Sequence, residues 1–338
     1  MIFKDTLNRL LAREDLSRDE MLTLMRALMG GELTPAQIAA TVIALRCKGE
    51  TVTEVAAAAE VMRELSAKVA VADRAHLVDT CGTGGDSLRT FNISTTAAFV
   101  AAACGARVAK HGGRAVSSGS GSADVLEHLG VKLDVDPDRV GQLIDTVGLG
   151  FLFAPNHHSA MKHAAPVRRE LGVRTLFNVL GPLTNPAGAP NQLLGVFGRD
   201  LTRKLAEVLQ ALGSRHVMVV HGADGLDEIT LSGETAVAEL KDGVVSEYTL
   251  APERFGIGRA DLASIRVDGV AQSAKVLRDV LAGKPGPAAD IVALNAGAAV
   301  YVAGVAGSLE DGVARAKRAL ADGSAAARLD ALIRESAA

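Results

Sequence analysis

The fold of this chain is set by residues 79–122, which read DTCGTGGDSLRTFNISTTAAFVAAACGARVAKHGGRAVSSGSGS. Glycines gather here between short apolar runs. Glycine tolerates positive φ and allows the backbone to approach a ligand closely. Small hydroxyl side chains and Lys110 stand among the glycines. This mixture suits a bound polyanion, most simply a phosphate or a diphosphate.

Strand and helix patterns alternate through and beyond this stretch. HLVDTCG and RVAKHGG have the pattern of buried strands that run into glycine loops, and STTAAFVAAACGA and SADVLEHLG have that of helices. The first of these helices is expected to be capped by Ser94 or Thr95. LLGVFG and HVMVVHG, further along, flank the helical pattern LTRKLAEVLQAL. The alternation predicts an α/β domain whose central, largely parallel sheet is flanked by helices and places ligands at its loop ends.

The N-terminal part of the chain has a different sequence pattern. Residues 1–71 show amphipathic helical patterns and no strand pattern, with helix starts at Ser17, at Thr34-Pro35 and at Thr51 with Glu54. We assign them to a small all-helical domain. Residues 72–165 and 189–338 are assigned to the larger α/β domain that binds the polyanion. A Pro-broken helical segment near 166–188 is expected to return to the N-terminal helices.

Composition excludes several classes of protein. A net charge of −3 argues against a nucleic-acid-binding protein. Cys47, Cys81 and Cys104 form no CxxC pair and are interpreted as reduced thiols of a cytoplasmic protein. The N-terminus has no signal-peptide pattern. The longest apolar stretch, residues 291–306, is Gly-rich and interrupted by Asn295, so it predicts a buried helix rather than a membrane span.

Two glycine loops are candidate anion sites. Gly82-Thr83-Gly84-Gly85-Asp86 is neither a P-loop nor a dinucleotide fingerprint, but it lies between a strand and a helix. Lys110-His111-Gly112-Gly113-Arg114 offers a point charge and a directed donor for a phosphate. The alternatives are a tight turn without a ligand for the first loop and a solvated loop for the second.

Two further polar motifs extend this site. The hydroxyls of Asn92-Ile93-Ser94-Thr95-Thr96 and the amides beside them could face a phosphate at a helix N-terminus, or could serve only as caps. The adjacent acids of Asp224-Gly225-Leu226-Asp227-Glu228 follow a strand and suit Mg²⁺, which prefers oxygen ligands and bridges to phosphates. An exposed acidic turn is the alternative for the second motif.

Histidines and arginines of the Pro-broken region are candidates for a second substrate. Asn156-His157-His158 lacks a third ligand at familiar zinc spacing, so a polar lining of the site is favoured over a metal. Arg168 could bind a substrate carboxylate through its planar fork, or form a surface salt bridge.

The order of these motifs closely resembles that of the anthranilate phosphoribosyltransferases of tryptophan biosynthesis. GTGGD, NIST, KHGGR with its serine-glycine run, RTLFNVLGPLTNP and DGLDE follow one another as in that family, across nearly the whole chain. The resemblance implies that the amine of anthranilate attacks C1 of phosphoribosyl diphosphate (PRPP) and that diphosphate leaves. It also implies Mg²⁺ as cofactor, a homodimer formed through the helical domain, and no nucleic-acid or membrane partner.

The resemblance also implies roles for individual residues. The PRPP-binding set is Gly82, Gly85, Asp86, Thr90, Asn92, Ile93, Ser94, Thr95, Lys110, His111, Gly112, Gly113, Arg114, Ser117, Ser118 and Ser122. The anthranilate set is Gly82, Gly113, Arg168 and His158, and the Mg²⁺ set is Ser94, Asp227 and Glu228. No general base is assigned, because the aromatic amine is already neutral at pH 7.

Two positions depart from the commoner family pattern. Many members have Asn at the position of Gly113, so an amide contact to anthranilate is missing here. Many carry Lys or Arg at the position of Gly119. Two alternatives remain open: a pyrimidine nucleoside phosphorylase, which resembles this family in architecture, and a non-catalytic nucleic-acid-binding paralogue.

Overall fold

A central sheet organises the larger part of the molecule. The computed structural model describes residues 3–85, 88–115 and 120–338. Within them, seven strands form one sheet in the order β3-β2-β1-β4-β5-β6-β7, and the pairings among β1 to β5 are all parallel. The strands are β1 (Leu77–Gly82), β2 (Arg107–Gly112), β3 (Leu149–Phe153), β4 (Asn191–Gly195), β5 (His216–Gly222), β6 (Thr235–Lys241) and β7 (Val244–Leu250). The predicted largely parallel sheet is confirmed.

Both faces of the sheet are covered by apolar layers, as a parallel sheet requires. Along β5, Met218 and Val220 belong to one buried cluster, whereas Val217 and Val219 belong to the other. This alternation follows from the two-residue period of a strand. The sequence HVMVVHG is therefore apolar at consecutive positions because neither face meets solvent.

A hairpin at one edge of the sheet was missed by the sequence analysis. Strands β6 and β7 pair antiparallel, as do β5 and β6. Asp242 and Gly243 connect β6 to β7 with φ values of 52° and 76°. An Asp-Gly pair between two alternating runs favours a two-residue turn with positive φ at both positions, so a local signal was present. Strand β3 was missed as well.

Helices surround the sheet. They are α1 (Phe3–Leu11), α2 (Arg18–Met29), α3 (Pro35–Lys48), α4 (Val52–Glu64), α5 (Ile93–Ala103), α6 (Ser122–His128), α7 (Pro137–Val147), α8 (Ala154–His157), α9 (Ala165–Leu171), α10 (Phe177–Leu180), α11 (Leu201–Ala211), α12 (Val270–Leu281), α13 (Pro287–Val302), α14 (Leu309–Ala321) and α15 (Ser324–Ala337). Among the described residues no helix is long and apolar enough to cross a membrane.

The first four helices form the predicted helical unit. Capping boxes, in which the cap and the third helical residue exchange hydrogen bonds, begin α2, α3 and α4. Their caps are Ser17, Thr34 and Thr51, as the sequence predicts. Helix α9 packs on α3, and α10 packs on α4. The segment 154–183 thus returns to the N-terminal helices, while the domain limits at 71, 165 and 189 stay a prediction.

The first residue of helix α5 differs from the sequence-based expectation. Helix α5 begins at Ile93, and its N-cap Asn92 makes no side-chain capping hydrogen bond. The expected caps, Ser94 and Thr95, lie inside the first turn, so that prediction was wrong.

Helix α13 accounts for most of the apolar stretch 291–306 and is buried against α5 and α14. Gly297 permits the close approach, since a Cβ there would come 2.5 Å from the backbone nitrogen of Val313.

Candidate active site

The predicted motifs meet at the carboxyl edge of the parallel strands. Strand β1 has β2 on one side and β4 on the other, so the chain continues in opposite directions from this point of the sheet. Such a switch point leaves a crevice at the strand ends where α/β proteins bind ligands. The first glycine loop follows β1, the second follows β2, and the acidic motif follows β5.

The first glycine loop is packed against the acidic motif. Gly84 donates its N–H to Asp227 Oδ2 over 2.8 Å. A Cβ at Gly82 would come 2.6 Å from the same carboxylate oxygen, so a side chain there would displace Asp227. Gly84 and Gly85 have φ values of 67° and 83°, a region that favours glycine. The loop is therefore more than a tight turn, because its shape brings two separate motifs together.

Arg174 holds the other end of this loop. Its Nη2 donates to the carbonyl oxygen of Gly85. Its guanidinium lies over the ring of Phe197, with Cζ 4.0 Å from the ring centroid. Phe197 in turn donates its N–H to Thr83 Oγ1 over 3.1 Å. The sequence analysis quoted Arg174 within RTLFN but gave it no role.

The N-terminus of α5 faces the acids. Ser94 donates its backbone N–H to Glu228 Oε1 over 3.0 Å. Thr95 Oγ1 is buried and has no hydrogen-bond partner among the described residues. The N-cap Asn92 makes no side-chain capping hydrogen bond, so among the described residues the carboxylate of Glu228 is the negatively charged group at the positive end of this helix.

Asn92 has a supporting place in the structure. Its side-chain oxygen accepts hydrogen bonds from Ser120 Oγ at 2.9 Å and from Ser273 Oγ at 2.7 Å. Its Nδ2 donates to the carbonyl oxygen of Ser120. Asn92 thus links the start of α5 to the end of the second glycine loop and to α12.

Lys110 is buried beneath the same point, so the alternative of a solvated loop does not hold for it. Its side chain is 3% exposed, and Nζ donates to the carbonyl oxygen of Thr80 and, over 3.4 Å, to Ser94 Oγ. Burial lowers the pKa of Lys110, while Asp79 and Glu228 act in the opposite direction. Lys110 thus places its amino group directly beside the helix N-terminus.

Asp79 supports the strand that carries Lys110. It accepts hydrogen bonds from the backbone N–H of His111 at 3.1 Å and from Asn185 Nδ2 at 2.8 Å. Burial raises the pKa of Asp79 to about 6, although these hydrogen bonds and Lys110 lower it. This carboxylate was not singled out from the sequence.

The acid pair is partly buried, and its two carboxylates repel each other. Burial, followed by repulsion from Asp227, raises the pKa of Glu228 to about 8, while Lys110 and Ser94 oppose the shift. Asp224 has a different place: it accepts hydrogen bonds from Leu226 N–H and from the hydroxyl of Thr230. Asp224 therefore shapes the turn, and the pair of carboxylates that face the glycine loop and α5 is Asp227 and Glu228.

This donor set fits Mg²⁺. Two adjacent carboxylates and the hydroxyl of Ser94 are hard oxygen donors, and Mg²⁺ is usually bound by one or two carboxylates together with substrate phosphates and water. Among the described residues no group of three or more His, Cys, Asp or Glu side chains could hold a metal ion. The arrangement thus suits a cation that a phosphorylated substrate helps to coordinate.

His111 and His158 form a buried, uncharged pair. Their Nε2 atoms lie 3.2 Å apart, and His111 Nδ1 lies 3.1 Å from the carbonyl oxygen of Gly181. His111 therefore donates through Nδ1 and accepts at Nε2 from His158. Burial is the main cause that lowers the pKa of His111 to about 3 and that of His158 to about 4. The pair is neutral and polar, and its role as a lining of the site stays a prediction.

Arg168 lies on α9 with its guanidinium 5.6 Å from the ring centroid of Phe177. The side chain is half-buried, and burial lowers its pKa. Among the residues that the structure describes, it has no ion pair or hydrogen bond from its side chain. The surface salt bridge considered from the sequence is therefore absent there, and the guanidinium is available to a ligand.

Several residues of the predicted PRPP-binding set have partners within the protein, and their contact with PRPP stays a prediction. Arg114 pairs with Asp124 and Glu127 of α6 at 3.0 and 2.8 Å, so its charge is already compensated. Ile93 is buried in the apolar core, and its N–H donates to Phe91 O. Thr90 forms an isolated antiparallel bridge with Arg266.

The second glycine loop is described only in part. Ser122 Oγ lies 3.4 Å from the carbonyl oxygen of Gly113, and a Cβ at Gly112 would collide with that hydroxyl. A Cβ at Gly113 would meet no atom of the described residues within 4 Å. Asp86, Ser117 and Ser118, and also Gly119, lie outside the described residues.

Family comparisons agree with this geometry. Residues 4–66 match the helical bundle domain of a glycosyl transferase family, and residues 74–326 match the a/b domain of that family. Anthranilate phosphoribosyltransferase from Chromobacterium violaceum is 63% identical over 327 residues, which cover 97% of this chain and 96% of the relative. The enzyme of the same name from Thiobacillus denitrificans is 61% identical over 98% of this chain and 96% of its own length. The chain belongs to the anthranilate phosphoribosyltransferase family.

Solved structures of this family have the same fold. The enzyme from Thermus thermophilus superposes with a TM-score of 0.94 at 47% identity, covering 99% of this chain and 100% of that one. The enzyme from Saccharomyces cerevisiae, solved with PRPP and Mg, gives a TM-score of 0.88 at 28% identity over 99% and 98% of the two chains. The yeast enzyme in complex with 4-fluoroanthranilate gives 0.83 at 26% identity over 95% and 92%.

Membership of the anthranilate phosphoribosyltransferase family confirms the resemblance that the motifs carried. It also confirms the predicted fold class, a small helical domain with a larger α/β domain. The two alternatives considered from the sequence, a pyrimidine nucleoside phosphorylase and a nucleic-acid-binding paralogue, gain no support from relatives at this level of identity. The roles of the individual site residues stay predictions.

Proposed function

We propose that the chain transfers the phosphoribosyl group of PRPP to the amine of anthranilate, which gives N-(5-phosphoribosyl)anthranilate and diphosphate, the second step from chorismate to tryptophan. One observation carries the proposal. The loop amide of Gly84, the helix amide of Ser94 and the ammonium of Lys110 converge with Asp227 and Glu228 at one edge of the sheet. This constellation is what a diphosphate leaving group requires.

The chemistry needs help chiefly at the leaving group. A C–N bond forms at C1 of the ribose, the C1–O bond breaks with its electron pair, and the amine nitrogen then loses a proton. Negative charge grows on diphosphate, so preorganised donors aimed at it lower the barrier. Lys110 would supply such a donor beside the N-terminus of α5, where the N–H of Ser94 is held by Glu228.

Mg²⁺ is proposed as the cofactor, with Asp227, Glu228 and Ser94 Oγ as the residues that would hold it. When bound, the ion neutralises charge on the diphosphate and acts as a Lewis acid toward it. Lys110 favours the charged form of Glu228 and so opposes the effect of burial, which raises the pKa of that carboxyl group to about 8. Solved structures of the yeast enzyme contain PRPP and Mg, which supports this assignment.

The acceptor would lie on the segment 154–183. We propose that Arg168 binds the carboxylate of anthranilate, and that the uncharged His111 and His158 line the cleft beside it. The aromatic amine needs no strong base before attack, so placement of the nucleophile is the main contribution of this segment. The complex of the yeast enzyme with 4-fluoroanthranilate supports an acceptor of this chemistry.

Two further parts of the proposal concern assembly and location. We propose a homodimer formed through the helical domain, as the resemblance to the family implies. Light scattering at several concentrations tests this, and a monomer at every concentration would contradict it. Location in the cytoplasm stays a prediction from the sequence.

Loss of anthranilate fluorescence tests the reaction directly. The chain contains no Trp, so the protein background is low. We expect fluorescence to fall when PRPP and Mg²⁺ are added together, and not when Mg²⁺ is replaced by a chelator. A pyrimidine nucleoside with inorganic phosphate serves as the control reaction. Cleavage of the nucleoside with no loss of anthranilate would reverse the assignment.

A further inference from the structure

Helix α13 carries a polar side chain where apolar packing is otherwise continuous. Asn295 is fully buried, and every other buried residue of this helix is Ala, Val, Leu, Ile or Gly. Burying an amide is costly unless its polar groups are hydrogen-bonded. The sequence analysis noted Asn295 only as an interruption of an apolar run, so its presence requires an explanation.

The side chain of Asn295 binds the single residue that follows the acidic motif, Ile229. Oδ1 accepts the backbone N–H of Ile229 at 2.9 Å, and Nδ2 donates to the carbonyl oxygen of Ile229 at 3.0 Å. Nδ2 also donates to Ile291 O of its own helix at 2.9 Å. Because both backbone polar groups of Ile229 are engaged, its position and its orientation are fixed together.

Ile229 directly follows Glu228, whose carboxylate accepts the N–H of Ser94. Before the acid pair, Gly222 donates its N–H to Leu226 O over 2.8 Å. After it, Thr230 donates its N–H to Thr235 Oγ1 over 3.0 Å. The acid pair therefore lies on a short backbone segment that is held by hydrogen bonds on both sides. Asn295 of α13 makes the hydrogen bonds next to Glu228.

Two neighbouring carboxylates repel each other, so a flexible backbone would let them move apart. Loss of a group that orients a metal-binding side chain from behind typically lowers metal affinity by about 10- to 100-fold. We propose that Asn295 is a positioning residue, which holds Glu228 through Ile229 in the place where the Mg²⁺–diphosphate group is bound. The inference rests on the proposed function, because it concerns the same site.

A purely structural role for Asn295 makes a different prediction. Loss of the three hydrogen bonds would then lower thermal stability and leave the folded protein with unchanged ligand binding. A positioning role requires that the folded variant need more Mg²⁺ to bind PRPP, while its response to anthranilate stays the same. The dependence of PRPP binding on Mg²⁺ therefore separates the two roles.

Calorimetric titration of PRPP at several Mg²⁺ concentrations provides this measurement. Asn295→Leu removes the amide and keeps a side chain of similar size. Leu294→Ala is the matched control, since Leu294 is buried on the same helix and has no polar atom to hold the acidic motif. We expect Asn295→Leu to raise the Kd for PRPP at limiting Mg²⁺ by about 10-fold or more. The control should lose thermal stability but bind PRPP as the wild type does.

Kinetics add a second readout. Asn295→Leu should raise KM for PRPP and the Mg²⁺ concentration at half-maximal rate, with KM for anthranilate unchanged. If Asn295→Leu does not fold, Asn295→Ala replaces it, because the smaller side chain leaves room for water at Ile229. A folded variant with wild-type Mg²⁺ dependence overturns the inference. Wild-type protein without PRPP turnover would instead overturn the proposed function, so the two failures are distinguishable.

Discussion

The first glycine loop and the segment 154–183 meet at the same edge of the sheet, but the protein holds them in different ways. The loop of Gly82 to Gly85 is fixed by hydrogen bonds to Asp227, Gly195 and Arg174. The segment consists of short helices and turns, and its Arg168 packs on Phe177 without an ion pair among the described residues. We call the first glycine loop with its partners the donor half, since we propose that it binds the phosphoribosyl donor, and the segment 154–183 the acceptor half. The donor half is held in place for a highly charged ligand. In the acceptor half, the guanidinium of Arg168 is available to a ligand.

The difference follows from what each half must do. Diphosphate carries several charges, so its site needs many donors that are already in place. Anthranilate carries one carboxylate and a ring, for which one guanidinium and a neutral lining suffice. Substitutions in the donor half should therefore lower the rate of the chemical step, and substitutions in the acceptor half should mainly change KM for anthranilate.

Lys110→Ala should have the largest effect. Removing one preorganised charge donor typically costs about 10²–10³ in rate, and Lys110 is the buried cation next to Ser94. Turnover under limiting PRPP measures the loss. Lys162→Ala, at an exposed lysine of the acceptor segment, is the control and should leave the rate unchanged. Near-wild-type turnover of Lys110→Ala would contradict the expectation that substitutions in the donor half lower the rate of the chemical step.

Glu228→Gln tests the acid pair with little change in shape. The amide oxygen still accepts the N–H of Ser94, but the negative charge is gone. We expect about a 10²-fold loss in rate and a shift of the activity to higher Mg²⁺ concentrations. Asp224→Asn is the comparison, since Asp224 shapes the turn through Leu226 and Thr230. Equal Mg²⁺ dependence in both variants would contradict the assignment of Glu228 as a ligand.

Arg168→Met should change the acceptor half alone. Hydrogen bonds to charged groups contribute about 1.5–3 kcal/mol, so KM for anthranilate should rise by about 10- to 100-fold while KM for PRPP stays the same. Methionine keeps an apolar stem that can still pack on Phe177. Arg169→Met, at the exposed neighbour, should have no effect on either KM. A joint rise in both KM values would show that Arg168 does not serve the acceptor specifically.

The histidine pair should make the free energy of unfolding depend on pH. Burial lowers the pKa of His111 to about 3 and of His158 to about 4, below the ordinary 6.5. The unfolded chain therefore takes up protons first as pH falls below 6.5, and the folded state loses stability down to those lower pKa values. Each histidine should cost about 1.4 kcal/mol per pH unit in that window. Denaturant unfolding between pH 7 and 5 measures the slope.

His158→Asn serves as the matched variant for this slope. It removes one titrating group, so the fall in unfolding free energy between pH 7 and 5 should be shallower than in the wild type. An unchanged slope would mean that the buried histidines do not set the acid sensitivity of the fold.

The sequence predicted the order of strand, glycine loop and helix around the first glycine loop because that order is a local pattern. A strand, a glycine loop and a helix follow one another within 79–122, so the positions of the backbone amides are implied by the order of elements. Asp227 and Glu228 were found because adjacent acids after a strand suit a metal beside a polyphosphate. The Ser94 and Thr95 caps were predicted wrongly, since a hydroxyl run near a helix start does not tell which residue stands outside the first turn.

Residues that act across long sequence separations were missed. Arg174 reaches Gly85 over 89 positions, and Asn295 reaches Ile229 over 66. Such contacts depend on how the segment 154–183 and α13 pack on the sheet, which no local pattern reveals. Arg114 differs again: its charge was recognised, but the acids Asp124 and Glu127 on the neighbouring helix attract it. Its partner is set by competition among nearby charges.

Gly113→Asn should have the smallest effect and would sharpen the contrast between the two halves. A Cβ at Gly113 meets no atom within 4 Å in the part of the chain that the structure describes, and its φ is not positive, so the backbone accepts an Asn at this position. One added hydrogen bond contributes about 0.5–1.5 kcal/mol, which would lower KM for anthranilate by about 2- to 10-fold. Gly113→Ala restricts the backbone equally and adds no amide.

The pair of variants separates two explanations of the departure at Gly113. If Gly113→Asn lowers KM for anthranilate and Gly113→Ala does not, the acceptor half lacks one amide contact that the commoner family pattern supplies. If both variants change KM alike, backbone freedom at the end of β2 matters more than the contact. An unchanged KM in both would mean that Arg168 and the histidine lining already hold the acceptor without help from this loop.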